Sequence, residues 1–279
     1  MFGKRSSRGF LFLLGLFLFF QVTSLFSFPA KRRLFELKYG YKTVCNQCHV
    51  DGGGSDNNDY GLDFHHNGQN LAAFTKIETK DSDGDAFLNL AEIQAQSNPG
   101  DPRSTPKKPG NYLQAELETF IPKKNLQKLF PLASNYKAVE GIITPEKKPE
   151  LEKKIGLVLS EDEQVPTFFE AYVESGEKLG VALLFASMEH HKHTFGGVAT
   201  DNNGKIIKVI IFKQQEQKGL KMDSFLKQFE GKSKDSQFKI GKDFTSLPKM
   251  EIFCQKICDF VKKSTWILHE IYLSEKPRG

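Results

Sequence analysis

The chain has 279 residues, a formal net charge of +5, 25 phenylalanines and four cysteines. That length suits one large or two modest domains, and the apolar content allows a packed core. The basic excess is mild, and no basic stripe carries interleaved aromatics, so nucleic-acid binding is not expected.

The first thirty residues read as a targeting segment. Lys4, Arg5 and Arg8 form a positive region, and Gly9 to Phe20 is an uninterrupted apolar run of the length expected for a secretion signal. Small residues at Ser24, Ser27 and Ala30 offer cleavage positions. Extended to Phe28, the same stretch reaches bilayer-spanning length, so a retained N-terminal anchor with membrane association is the alternative. Either way the expected location is the periplasm or cell envelope. Lys31, Arg32 and Arg33 follow as a basic cluster, and a solvated surface accounts for the lysines beyond it.

The next segment, 31–104, carries most of the chemistry. Cys45-Asn46-Gln47-Cys48-His49 has the spacing of covalent haem attachment. Two intervening residues let both thiols reach the two vinyl groups, and the adjacent imidazole meets the iron from one face. A zinc site would want a second ligand pair close by, and Cys254 and Cys258 are remote and differently spaced. A thioredoxin-like pair would want a βαβ context that the Gly- and Asn-rich sequence after His49 does not offer. No methionine lies in this segment, so His65 and His66 are the local choices for the second axial ligand. If both are surface histidines, the iron is five-coordinate and open to small ligands.

Asp81 to Glu92 follows the acidic pattern of an EF-hand loop. Oxygen ligands fall at Asp81, Asp83, Asp85, Asn89 and Glu92, with the Phe87 carbonyl among them, and point to calcium. The sixth position, where glycine makes the turn, is Ala86, and a left-handed alanine costs about 1–2 kcal/mol. Leu90 and Ile93 suit a short exit helix stopped by Pro99-Gly100. No entering helix is evident. A solvated acidic turn is the alternative. The aromatics Phe35, Tyr39, Tyr41, Tyr60, Phe64, Phe74 and Phe87 suit either a porphyrin wrap or an ordinary core. The order of these motifs resembles small exported monohaem modules with an attached calcium repeat. A small, mainly helical module is expected, with haem and ion as staples.

Asp101 to Gly110 holds three prolines and reads as a stiff, solvated linker, with the boundary placed at 105–111. The second domain runs from 112 to 275. Its pattern gives helices near Leu113–Phe120 and Leu126–Phe130, strands at Thr167–Val173 and Leu179–Ser187, and a hairpin of Phe195–Thr200 with Lys205–Phe212. Amphipathic helices follow at Met222–Phe229 and Met250–Lys262, with Ser264–Leu273 as a final strand. That order makes the chain multidomain, the second domain being α+β. Three histidines, His190, His191 and His193, could bind a transition metal but more often form a solvated loop. Cys254 and Cys258, one helical turn apart, are expected as buried thiols.

Phe195-Gly196-Gly197, Asp201 to Ile206, Glu216-Gln217-Lys218-Gly219-Leu220 and Phe225 to Lys232 occur in an order that resembles the FMN-binding domain family. That family includes flavin subunits of sodium-pumping NADH:quinone reductases and Rnf-type complexes. The resemblance covers about the last 160 residues and implies a flavin-side loop at Gly219 and Leu220. Where covalent members carry a threonine acceptor, this chain has Asp243, so covalent FMN is not expected. Lys242, Thr245 and Ser246 are then the residues left to hold a non-covalent phosphate.

The expected function is electron transfer outside the cytoplasm, by a carrier or redox-complex subunit rather than a stand-alone enzyme. Its partners would be a redox protein or a membrane redox complex. The alternative is an exported haem- or calcium-dependent sensor whose second domain is a flavin-free scaffold.

Overall fold

The computed structural model describes residues 30–53, 55–114, 121–189, 192–215 and 222–274. The expected secretion signal therefore lies outside the described residues, apart from Ala30. Among the described residues no helix is long and apolar enough to cross a membrane.

The N-terminal part is helical. Helices α1 (Ala30–Tyr39), α2 (Asp59–His66), α3 (Leu71–Ile77) and α4 (Asn89–Gln94) surround a small core. Asn58 and Asn70 cap α2 and α3, their side chains accepting from the Gly61 and Ala73 amides. The core contains Leu34, Phe35, Tyr60, Phe64, Phe74, Ile77 and Ile93. Phe64 stacks on Phe74 at 4.1 Å between ring centroids, and Phe35 meets Phe74 edge-on at 5.6 Å. These aromatics thus pack on one another as the module's own interior.

The C-terminal part is a five-stranded antiparallel meander with helices. Strands β1 (Asn135–Glu140), β2 (Thr167–Tyr172), β3 (Lys178–Glu189), β4 (Lys192–Thr200) and β5 (Ile206–Gln214) lie side by side in sequence order. Helix α5 (Lys123–Leu129) precedes the sheet, and α6 (Lys147–Ile155) follows β1. The short α7 (Asp223–Leu226) and the long α8 (Glu251–Ile267) close the chain. Alternation along the strands divides the sheet into two faces. Phe169, Ala182, Leu184 and Ala199 face α5. Phe168, Val181 and Leu183 pack under the end of α8, and Phe185, Val198 and Val209 under its body. Gly196 and Gly197 fit this sandwich closely. A Cβ on Gly196 would meet Phe185 at 2.5 Å, and one on Gly197 would meet Leu129 and Leu184 at 2.8 Å.

Three expectations change. Ser264–Leu273 is helical: α8 runs to Ile267 and continues as a π-helical turn to Leu273. Ile267, Leu268, Ile271 and Tyr272 recur at helical spacing and are buried together, while the Tyr272 hydroxyl bonds Glu170 in β2. Strand β1, unforeseen in the sequence, takes the sheet edge instead. The proline-rich segment is folded rather than a solvated spacer. The Asn98 amide donates to Ser104 Oγ at 2.9 Å, and that hydroxyl donates to the Pro109 carbonyl at 2.7 Å.

Nor is the basic cluster simply solvated. Arg32 Nη2 and Arg33 Nη1 grip the two Glu140 oxygens at 3.0 and 2.9 Å, and Lys31 pairs with Asp162 at 2.7 Å. Helix α1 thereby clamps the helical part to the end of β1. Val165, just before β2, completes the helical part's core. Glu140→Ala removes one of the two carboxylates, Glu36 being the other, that the largely buried Arg32 and Arg33 share. It should lower unfolding free energy by about 1–3 kcal/mol in urea denaturation. Exposed Lys42→Ala should shift it by under about 0.5 kcal/mol.

Candidate functional site

Cys45 to Gln47 form a single 3₁₀ turn, closed by the Cys48 and His49 amides donating to the Cys45 carbonyl at 3.1 and 3.0 Å. The following Gly-rich stretch doubles back, with His49 pairing Asn57 in an antiparallel bridge. This return sets the Ser55 carbonyl 2.8 Å from His49 Nδ1. A carbonyl can only accept, so Nδ1 is the donor in this bond, and a neutral ring then has its lone pair on Nε2. Helix α2 packs directly on the turn. A Cβ on Gly61 would lie 2.0 Å from the Cys48 carbonyl, which already accepts from the Asn58 amide at 3.0 Å. Val50 and Leu62, flanking the motif, are exposed apolar side chains.

All four cysteines are thiols, and Cys254 and Cys258 are buried as expected. Burial, and secondarily the charge of Cys45, pushes the Cys48 thiol up to about 12.

His65 and His66 sit at the C-terminal end of α2, both exposed, with ring centroids 5.8 Å apart. His65 Nδ1 lies 2.6 Å from the Gln69 amide nitrogen. No described contact brings either histidine to His49.

The acidic loop has the entering helix that sequence did not reveal: α3 precedes it and α4 leaves it. Oxygens of Asp81, Asp83 and Asp85 lie within 4.8 Å of one another, and this is the one such His/Cys/Asp/Glu group among the described residues. Ala86 adopts a φ of +74°, the strained turn conformation. Asp81 accepts the amides of Gly84, Asp85 and Ala86. Asn89 and Glu92 are fully buried on α4. Asp83 Oδ2, Asp85 Oδ2 and Glu92 Oε2 are buried with no hydrogen-bond partner. Burial first, then the charges of Asp83 and Asp85, pushes the Glu92 carboxyl up to about 8. Burial and Asp85 push Asp83 to about 6. Three oxygens directed inward without a donor suit a hard cation. The Asn89 side-chain oxygen accepts instead from the Ser82 amide at 3.2 Å. Phe87 is half-buried, its amide donating to Asp85.

The residues expected for flavin are less convergent. Gly219 and Leu220, like His190 and His191, lie outside the described residues; His193 is exposed. Lys242 and Thr245 are exposed. The Thr245 amide and carbonyl pair with the Gln228 side chain, and Ser246 Oγ is 3.5 Å from a Glu251 oxygen. Asp243 turns inward, accepting the Gln237 and Phe238 amides. Carboxylates on both sides make this a poor phosphate cradle.

Sequence reasoning missed the supports: Ser55, Asn58, Asp63, Ser97, Asn98 and Tyr112. Only Asn58 had a readable signal, as an N-cap before a periodic stretch. No family model, no curated protein and no solved structure matches the chain.

Gly61→Ala should push α2 off the Cys48 carbonyl and cost about 1–3 kcal/mol in urea denaturation. Glu92 gives a pH signature. Its folded carboxyl is raised from 4.5 to about 8, so folding favours the protonated form. In chelator its contribution to stability must fall as pH rises from about 4.5 towards about 8. Unfolding midpoints across that window should show this decline in the native chain relative to Glu92→Gln. A relative rise would contradict the buried carboxylate.

Proposed function

We propose that this chain is an extracytoplasmic electron-transfer protein carrying one haem c on Cys45 and Cys48, with His49 as axial ligand and calcium in the acidic loop. The observation that supports it best is the Ser55 carbonyl bound to His49 Nδ1, which leaves Nε2 as the ring nitrogen to serve as ligand. Gly61 lets α2 brace the same turn, and Val50 and Leu62 offer exposed apolar surface beside it. When bound, the haem supplies one-electron chemistry. The chain's own residues fix the attachment turn and hold the imidazole tautomer. Asp81, Asp83, Asp85 and Glu92, with the Phe87 carbonyl, would hold calcium as a structural ion.

The C-terminal sheet is then the body to which the haem module is clamped, as a carrier or as a subunit docking a redox protein or membrane redox complex. Non-covalent FMN on Gly219, Leu220, Lys242, Thr245 and Ser246 has the least support, since Asp243 and Glu251 flank the phosphate position. A second reading is ligand sensing by a five-coordinate haem. The exposure of His65 and His66, with His65 engaged by Gln69, favours it.

Expression with haem-attachment machinery should give a protein heavier by one haem, with a pyridine haemochrome of two thioether bonds. Cys48→Ala should lose that second thioether. A low-spin reduced spectrum supports electron transfer, and a high-spin spectrum shifting with carbon monoxide supports sensing. Colourless protein with both thiols unmodified would end the haem reading.

A further inference from the structure

The acidic loop and the attachment turn are joined by one hydrogen-bonded path. Glu92, fully buried with Oε2 unpartnered, is gripped at its other oxygen by Ser97 Oγ at 3.4 Å. The Ser97 amide donates to the Glu92 carbonyl at 2.9 Å. The Tyr112 hydroxyl then shares its proton between the Ser97 carbonyl at 3.1 Å and Gln47 Oε1 at 3.0 Å. Thr43 Oγ1 donates to that same Gln47 oxygen at 2.8 Å. Next along the chain, Asn98 Nδ2 donates to the Asn46 carbonyl at 3.0 Å. Asn46 and Gln47 are the two residues between the attachment cysteines. The other side of the turn is also linked, because Ser82 Oγ donates at 2.8 Å to Asp63 on α2, the helix whose Gly61 abuts Cys48.

We infer that a hard divalent cation of calcium size in the acidic loop locks the Cys45–His49 turn through Ser97, Tyr112 and Gln47. Its sense for haem attachment rests on the haem reading, but the coupling itself does not. Without an ion, one inward oxygen of each of Asp83, Asp85 and Glu92 has no partner, and nothing holds the three together. The ion supplies that partner and fixes Glu92, hence Ser97, hence the hydroxyl that pins Gln47. Reciprocity requires a preformed turn to bind the ion more tightly by the same factor. Tyr112 is a positioning residue in this scheme, touching neither ion nor haem.

Amide hydrogen exchange on the full chain, made without haem-attachment machinery, tests this. Calcium chloride added to chelator-treated protein should slow exchange of the Gln47, Cys48 and His49 amides by about fivefold or more. Amides of 81–92 should slow with them. In Tyr112→Phe, calcium should still slow 81–92 but leave 47–49 nearly unchanged. Asn98→Asp, which removes the donor to Asn46 while keeping an acceptor for the Gly100 amide, is the second variant and should weaken the coupling similarly. Calcium that protects 81–92 but not 47–49 in the native chain overturns the inference. So does absence of calcium binding by calorimetry, or full protection of 47–49 in both variants. Failure of haem attachment in a competent host would remove the proposed function while leaving this exchange result standing.

Discussion

Desolvated negative charge shapes the N-terminal part. Glu92 is fully buried, and Asp83 and Asp85 each direct one oxygen inward with no donor. Burying a carboxylate without compensation costs several kcal/mol, and three pointing together repel as well. No donor among the described residues reaches those three oxygens, so a cation or protonation is what offsets that cost. The strained Ala86 turn adds to it. The chain nevertheless builds α3, the loop and α4 around this arrangement, with Asn89 and Ser82 cross-bonded to hold it. The Cys45–His49 turn leans on the segment leaving that loop.

The helical part is also not self-sufficient. Its core is a handful of aromatic rings and aliphatic side chains, completed by Val165 from the other part. Ion pairs from Lys31, Arg32 and Arg33 to Asp162 and Glu140 supply the rest of the attachment. The Leu71 amide at the start of α3 also donates to Glu161 at 2.7 Å, a carboxylate at a helix N-terminus. A helical part joined this way holds the Cys45–His49 turn on a fixed base rather than on a tether.

The Gly196-Gly197 pair shows how a motif can have a packing cause. In the sequence it contributes to a resemblance with flavin-binding domains. In the fold, each glycine admits a side chain from one face of the sheet, Phe185 on one side and Leu129 with Leu184 on the other. That requirement exists whether or not a flavin is bound, so these glycines carry no weight for FMN.

Local structure was legible from sequence alone. The Cys-x-x-Cys-His spacing, the acidic loop with its left-handed Ala86, the hairpin at Asn202-Asn203-Gly204 and the main strands depend on neighbouring residues, and spacing reports those directly. Tertiary structure decided what depends on distant partners. Ser264–Leu273 is helical because its apolar residues fit under the sheet and Tyr272 reaches Glu170. The basic cluster is a clamp because Glu140, more than a hundred residues away, meets it. Tyr112 belongs to the Cys45–His49 turn because a folded proline-rich segment returns it to Gln47, and no local pattern encodes that return.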